Sequence, residues 1–205
     1  MKVGFDIDFT ITTGEMYERV VQKYFPKFEI SKHYTKHPLE YSLMSHGFMS
    51  DTYPFDRHFM YDKNKEQIFG EEIMSPGFLK VYNLLVEHGI EVYFISARKA
   101  NTLDITKKWL ETHGITNPNL FCIGSYNKQF LINEIGITLF YEDSVKNAYN
   151  ILENCHCEVR LIEQPYNKIA LSGFRSFRMW TTEYRRLYQL LNYRHLEEIK
   201  LWKNS

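Results

Sequence analysis

The chain has 205 residues, and its 25 acidic and 25 basic side chains give a formal net charge of zero at pH 7. That length allows one α/β domain with a modest insertion, and the balanced charge favours neither nucleic acid nor an anionic membrane as a partner. The early position of Asp6 argues against an export signal, and no apolar run reaches membrane-spanning length. The odd number of cysteines, three, argues against a disulfide framework. We therefore expect a cytoplasmic protein.

Apolar runs rich in Val, Ile, Phe and Tyr alternate with segments of helical periodicity. The runs predict five β-strands, at residues 2–7, 91–95, 120–124, 138–141 and 158–162. The periodic segments predict helices at residues 78–88, 100–113, 145–153 and 181–202. Alternation of this kind indicates an α/β fold, with a Rossmann-like parallel sheet between two helical layers and right-handed crossovers.

The segment from residue 14 to residue 74 interrupts this alternation. It lies between the first two predicted strands and is much longer than one crossover helix. Its beginning, residues 15–24, has a helical apolar face, while residues 53–56 and 63–64 have the composition of turns. We therefore expect a small, mainly helical cap at 14–74, inserted into a core domain formed by 1–13 and 75–205.

Polar residues follow the predicted strands at the edge where ligands bind in open parallel sheets. Asp6 and Asp8 are two residues apart, so their side chains should face one pocket while the residue between them faces the core. Further along the chain, three more strand ends carry reactive or polar groups: Ser96, Lys128 and the pair Glu142 and Asp143. Each feature is weak alone, but their common position at strand ends predicts one site.

Two adjacent carboxylates repel each other unless a cation or a proton intervenes, and a hard divalent ion with oxygen ligands relieves the repulsion. We therefore expect Mg²⁺. One aspartate could then attack phosphorus, and the other could protonate the leaving oxygen. The metal and Lys128 would offset the charge of a phosphate ester.

The string Asp-x-Asp-x-Thr at residues 6–10 is followed along the chain by a strand ending in Ser96, by Lys128 and by an acidic pair at 142–143. This pattern resembles the four motifs of the haloacid dehalogenase superfamily. Within that superfamily, residues 94–98, 141–144 and 163–167 resemble the 5'(3')-deoxyribonucleotidase and bacterial nucleotidase branch. The resemblance implies a magnesium-dependent phosphomonoesterase that forms an aspartyl phosphate and acts on nucleoside monophosphates.

The same resemblance implies roles for individual residues. Asp6 would be the nucleophile and a metal ligand, and Asp8 the acid/base, with its backbone carbonyl also on the metal. Asp143 would be the third ligand, with Glu142 beside it or in its place. The remaining residues would bind the phosphoryl group: Thr10, Ser96, Ala97, Arg98 and Lys128. Phe9 stands where most relatives carry glycine, which implies a bulkier loop after the nucleophile.

Several alternatives stay open from the sequence. Arg98 could bind phosphate or pair with an acidic residue at the start of the next helix. The substrate could be another small phosphate ester or a nucleic-acid end, although no strong nucleic-acid signal is present. A phosphate-binding module without turnover is the non-enzymatic alternative.

Overall fold

A computed structural model describes residues 1–24, 26 and 63–203 of the chain. Its centre is a parallel sheet of six strands in the order β3-β2-β1-β4-β5-β6. The strands are β1 (Lys2–Phe5), β2 (Glu91–Ser96), β3 (Asn119–Cys122), β4 (Leu139–Glu142), β5 (Glu158–Ile162) and β6 (Arg175–Phe177). The predicted parallel α/β fold is therefore confirmed, with β6 as a short edge strand that the sequence pattern did not indicate.

Helices cover both faces of this sheet. They are α1 (Glu15–Tyr24), α2 (Phe78–Glu87), α3 (Leu103–Thr112), α4 (Gln129–Ile135), α5 (Val145–Asn154) and α6 (Trp180–Lys203). The sequence predicted all of them except α4, which has only seven residues and ends at Gly136 with φ 75°. A left-handed glycine is a common helix terminator, so Gly136 was an available signal. Within residues 1–24 and 63–203, no helix combines the length and apolar character needed to cross a membrane.

Two hydrophobic clusters lie on opposite faces of the sheet. One contains Leu139 and Tyr141 of β4 together with apolar residues of α2, α3 and α6, and the other contains Phe140 together with residues of α4 and α5. This division follows from the alternation of side chains along a strand. Because both faces of the central strands are buried, β4 is apolar up to the acidic residue at its end.

The first strand is shorter than predicted. It ends at Phe5, and the chain then turns tightly, since the backbone amides of Thr10, Ile11 and Thr12 all donate to the carbonyl of Ile7. Asp6 and Asp8 therefore lie in the loop after β1 rather than on the strand. Ile7 between them is fully buried, as the alternation of side chains predicted.

The insertion leaves and rejoins the core through a paired stem. Thr12 and Met74 form an antiparallel bridge, and the amide of Ser75 donates to the carbonyl of Ile11 at 2.9 Å. Residues 53–56, predicted as a turn, lie outside the described part of the chain. The division of the chain into a core and a cap stays a prediction.

The predicted turn at Lys63 and Asn64 is wrong, because both residues are helical and precede a π-helical turn, Glu66–Gly70. Composition favoured a turn, but tertiary contact decided the conformation. Asn64 is buried, and its side-chain amide donates to the Tyr24 hydroxyl at 3.0 Å.

The C-terminal helix α6 is held against the strands next to the predicted site. Glu183, in its first turn, is almost fully buried, accepts from the Tyr141 hydroxyl at 2.6 Å and pairs with Arg160 Nε at 3.0 Å. Trp180 Nε1 donates to the carbonyl of Thr10 at 3.1 Å. Helix α6 thus supports both β4 and the loop after β1.

Candidate active site

The polar residues at the ends of the strands meet at the point where the strand order reverses. From β1 the chain builds outward to β2 and β3, and it then returns to the other side of β1 with β4. Ligands in such sheets bind at this switch point, at the carboxyl ends of the strands. Asp6 follows β1 and Asp143 follows β4, and the amide of Asp6 donates to the carbonyl of Tyr141 at 2.9 Å. Strand order therefore brings together residues that are more than 130 positions apart.

Three buried carboxylates form the centre of the site. Asp6, Glu142 and Asp143 each offer an oxygen, and these oxygens lie within 4.8 Å of one another. Lys128 Nζ lies 2.6 Å from Asp6 Oδ1 and 3.1 Å from Glu142 Oε1, and its side chain is also buried. One ammonium cannot balance three carboxylates. The cluster therefore has the charge and the oxygen donors that suit a divalent cation.

The electrostatics of this cluster follow from burial. Burial, followed by repulsion from Glu142, raises the pKa of Asp6 well above its usual value and raises the pKa of Asp143 to about 8. Burial alone would lower the pKa of Lys128, but the adjacent carboxylates of Asp6 and Glu142 raise it above the ordinary value. Without a metal, burial therefore favours the protonated forms of Asp6 and Asp143, and Lys128 stays charged.

Neutral donors fix the orientation of Asp143. Thr10 donates its hydroxyl to Asp143 Oδ1 at 2.9 Å, and Tyr166 donates to Oδ2 at 2.6 Å. Asn167 Nδ2 donates to the backbone carbonyl of Asp143 at 2.8 Å. The predicted phosphoryl-binding residue Thr10 is thus in contact with a carboxylate in this structure, and its side chain is fully buried.

Glu142 is held by contacts within the protein. Its Oε1 accepts from Asn147 Nδ2 at 2.6 Å in addition to Lys128, and its Oε2 accepts from the amide of Asp143 at 3.1 Å. The sequence left open whether Glu142 is a ligand or a neighbour of the metal. The structure brings its carboxylate into the same cluster as Asp6 and Asp143, while the carboxylate of Asp8 lies elsewhere.

Asp8 faces Arg98 instead. Arg98 Nη2 lies 2.7 Å from Asp8 Oδ1, and Arg98 Nε lies 3.1 Å from Oδ2, which makes the pair bidentate. The other guanidinium nitrogen, Nη1, donates to Thr106 Oγ1 at 2.9 Å. The carboxylate partner of Arg98 is therefore Asp8, in the loop after β1, and not an acidic residue at the start of the next helix, which was one of the two alternatives left open. Strand order decided this, because β1 and β2 are neighbours.

Ser96 is the last residue of β2, and Ala97 begins the loop after it. Ser96 is fully buried, accepts from the amide of Arg98 at 3.2 Å and lies 3.5 Å from Asp8 Oδ2. The guanidinium of Arg98 also lies 4.5 Å from the ring centre of Phe69, in the π-helical turn. Arg98 therefore links the acid/base candidate to the described end of the inserted segment.

A cavity of about 360 Å³ opens over these groups. Its polar lining includes Asp6, Asp8, Arg98, Lys128, Asp143 and Asn147. Its apolar lining includes Phe9, Tyr17, Ile68 and Phe69. Among the predicted phosphoryl-binding residues of the described chain, Ala97, Arg98 and Lys128 line this cavity, whereas Thr10 and Ser96 do not.

The sequence did not indicate four residues of this site. Tyr166 and Asn167 occur in the string at 163–167 that carried the resemblance, but that string suggested no role. Asn147 lies three residues after Ser144, whose hydroxyl caps α5, so it follows a recognisable helix start. Glu72 is a buried carboxylate in the cavity wall, and burial raises its pKa. No sequence signal marks this residue.

No protein-family model matches the chain. By sequence, the chain is 25% identical over 173 residues to "Putative nucleotidase YqfW" of Bacillus subtilis, covering 84% of this chain and 86% of that protein. It is 26% identical over 169 residues to "Putative nucleotidase BH1399" of Halalkalibacterium halodurans, covering 82% of each.

By structure, the chain is similar to a haloacid dehalogenase family hydrolase of Deinococcus radiodurans R1 that was solved with bound phosphate and sodium. The TM-score is 0.64 at 15% identity, over 93% of this chain and 96% of that one. The predicted resemblance is therefore confirmed. The fold is that of the haloacid dehalogenase hydrolases, and in sequence the chain resembles proteins named as nucleotidases.

Proposed function

We propose that the protein is a magnesium-dependent phosphomonoesterase that acts through an aspartyl phosphate on Asp6, with nucleoside monophosphates as substrates. The observation that carries this proposal is the contact between the Asp6 carboxylate and the buried Lys128 ammonium, beside two further carboxylates and in the wall of a cavity. Similarity to hydrolases in fold and to nucleotidases by name supports phosphatase activity.

The residues present fit a divalent metal. Three buried carboxylates share one ammonium, which leaves an excess negative charge that burial makes costly. Asp6 and Asp143 would hold Mg²⁺, with the backbone carbonyl of Asp8 as a further ligand and Glu142 beside them. When bound, the ion supplies positive charge to the phosphoryl oxygens and to the attacking carboxylate.

The chemistry then follows from the arrangement of the side chains. An oxygen of Asp6 attacks phosphorus, the phosphorus–oxygen bond of the ester breaks, and Asp8 gives a proton to the leaving oxygen. In the second step Asp8 takes a proton from water, the water oxygen attacks phosphorus, and the bond to Asp6 breaks to release phosphate. In the present structure Arg98 pairs with both oxygens of Asp8, so we expect Asp8 to turn away from Arg98 when it carries the proton.

The phosphoryl group would be bound by the groups around Asp6. Lys128 offers an ammonium at 2.6 Å from the nucleophilic carboxylate, where it can offset the negative charge of the approaching ester. Thr10 and Ser96 contact the carboxylates of Asp143 and Asp8, and Ala97 lines the cavity. Of these side chains, Thr10 and Ser96 face carboxylates in the present structure, so we expect them to bind phosphate through local rearrangement.

The nucleotide assignment depends on the aromatic residues that line the cavity and on the names of the relatives. A cavity of about 360 Å³ lies within the range of small-molecule sites, and its aromatic wall suits a flat group attached to the phosphate. Other small phosphate esters and nucleic-acid ends remain candidate substrates. The cytoplasmic location stays a prediction from the sequence.

The test is phosphate release from a panel of esters with Mg²⁺ or with a chelator. The panel contains nucleoside 5'- and 3'-monophosphates, sugar phosphates and a 5'-phosphorylated oligonucleotide. We expect nucleotides to be preferred, and Asp6→Asn to lower turnover by on the order of 10³-fold or more. Asp104→Asn, an exposed position in the first turn of α3, is the matched control. Wild-type turnover in Asp6→Asn would refute the mechanism, and phosphate binding without turnover would favour a binding module.

A further inference from the structure

Phe9 has a backbone conformation that is unusual for a large side chain. Its φ is 58°, in the left-handed region, where a bulky residue costs about 1–2 kcal/mol. Its amide donates to Thr12 Oγ1 at 3.0 Å, and its carbonyl accepts from Gln164 Nε2 at 2.6 Å. Hydrogen bonds on both sides therefore hold the residue in this strained conformation.

The ring of Phe9 is held as firmly as its backbone. It packs edge to face against Tyr17 at 5.7 Å and against Tyr166 at 6.0 Å between ring centres. It also fills the space over Gly14, where an added Cβ would lie 2.0 Å from a ring carbon. The absence of a side chain at Gly14 is therefore what leaves room for the ring.

A glycine at position 9 would adopt the same φ without strain. The backbone conformation thus does not require an aromatic residue, and the side chain must contribute something else. Backbone strain of this kind clusters at functional sites. Packing alone is the competing explanation, since the ring is 7% exposed and touches two tyrosines.

The position of the ring in the cavity favours a role in binding. Phe9 directly follows Asp8, and both residues line the same cavity wall. The ring of Phe9 contacts Tyr17, which also lines the cavity, so Phe9 lies between the carboxylate of Asp8 along the chain and an aromatic neighbour in space. If Asp8 protonates the leaving oxygen, the group attached to that oxygen must pass close to Phe9.

We propose that Phe9 selects the leaving group, favouring esters whose alcohol carries a flat aromatic group over esters of small polyols. This inference rests on the proposed phosphatase function and narrows its substrate class. Contact with the ring of Phe9 and burial of aromatic surface both favour such an ester, whereas glycerol has no ring and less apolar surface to bury. Selection by Phe9 therefore corresponds to a factor of about ten in kcat/KM.

The experiment compares phenyl phosphate, a nucleoside 5'-monophosphate and glycerol 3-phosphate with Mg²⁺. In Phe9→Gly, the ratio of kcat/KM for phenyl phosphate to that for glycerol 3-phosphate should fall about tenfold. In Phe9→Tyr, which keeps the ring, the ratio should stay within about twofold of the wild-type value. Circular dichroism checks that each variant is folded, and Phe9→Leu, which removes only the aromatic face, replaces Phe9→Gly if that variant does not fold.

An unchanged ratio in a folded Phe9→Gly or Phe9→Leu variant would overturn the role of Phe9 and leave the proposed function intact. An equal loss for all three esters would do the same, because it would identify Phe9 as a packing residue. A wild-type protein that releases phosphate from none of the esters would overturn the proposed function and this inference with it.

Discussion

Removal of divalent metal should make the folded protein less stable as the pH rises. Burial and repulsion from Glu142 raise the pKa of Asp143 to about 8 in the metal-free protein, whereas an aspartate in the unfolded chain has a pKa of about 4. Between these values the folded protein holds a proton that the unfolded chain has released. The contribution of Asp143 to the free energy of unfolding is therefore fully present below about pH 4 and is lost as the pH rises to about 8.

The size of this effect follows from the linkage between proton binding and folding. One proton held only by the folded state lowers the free energy of unfolding by up to about 1.4 kcal/mol per pH unit. Asp6, whose pKa is also raised by burial and by Glu142, changes stability in the same direction. For a domain of this size, 1 kcal/mol corresponds to about 2–4 °C in Tm. The metal-free Tm should therefore fall by a few degrees between pH 6 and pH 7.

Bound Mg²⁺ should remove this dependence, because the carboxylates are then ionised and hold no proton. The assay is thermal unfolding at pH 6, 7 and 8, in excess Mg²⁺ or in a chelator, with the difference between the two Tm values as the measured quantity. The difference should grow with pH in the wild type and stay nearly constant in Asp143→Asn. A wild-type difference that is flat or that shrinks as the pH rises would refute the assignment of the carboxylate cluster as a metal site.

Three further predictions concern single side chains. Lys128→Met removes the ammonium beside Asp6 and should lower kcat by about 10²–10³-fold in a phosphate-release assay, whereas Lys107→Met, in an exposed pair with Glu111, should leave kcat unchanged. Tyr166→Phe removes the 2.6 Å hydrogen bond to Asp143 Oδ2 and should raise the Mg²⁺ concentration needed for half-maximal activity by about tenfold. An unaltered Mg²⁺ titration would show that this hydroxyl does not position Asp143. Glu183→Ala leaves the buried Arg160 without its main partner and should cost about 3–5 kcal/mol in urea unfolding. Loss of the exposed pair in Glu15→Ala should cost less than about 1 kcal/mol, and equal losses for the two variants would contradict the buried ion pair.

Local pattern was sufficient for most of the sheet. The predicted strand at 91–95 agrees to within one residue with the observed β2, Glu91–Ser96. The prediction succeeded because a parallel strand that is buried on both faces forms a continuous apolar run in the sequence. Short elements escaped this reasoning. Strand β6 has three residues and helix α4 has seven, so neither contains enough repeats of its period to be recognised.

Contacts between distant residues account for the errors near the site. Arg98 has an acidic residue, Asp104, at the start of the next helix, and sequence distance made it a reasonable partner. The neighbouring position of β1 and β2 instead placed Asp8 within reach, at 2.7 Å. In the same way, Asn64 belongs to a helical segment because its side chain contacts Tyr24, 40 residues away.

The sequence by itself determined the parallel α/β fold and the polar residues that end or follow its strands, Asp6, Ser96, Lys128 and Asp143, because periodicity and chemical type are local properties. Only the tertiary structure decided which carboxylate faces which cation and which hydroxyls orient Asp143. Those pairings depend on the order of the strands and on the segments that pack over them. That order brings residues more than 100 positions apart to within hydrogen-bond distance, and no local pattern encodes such a distance.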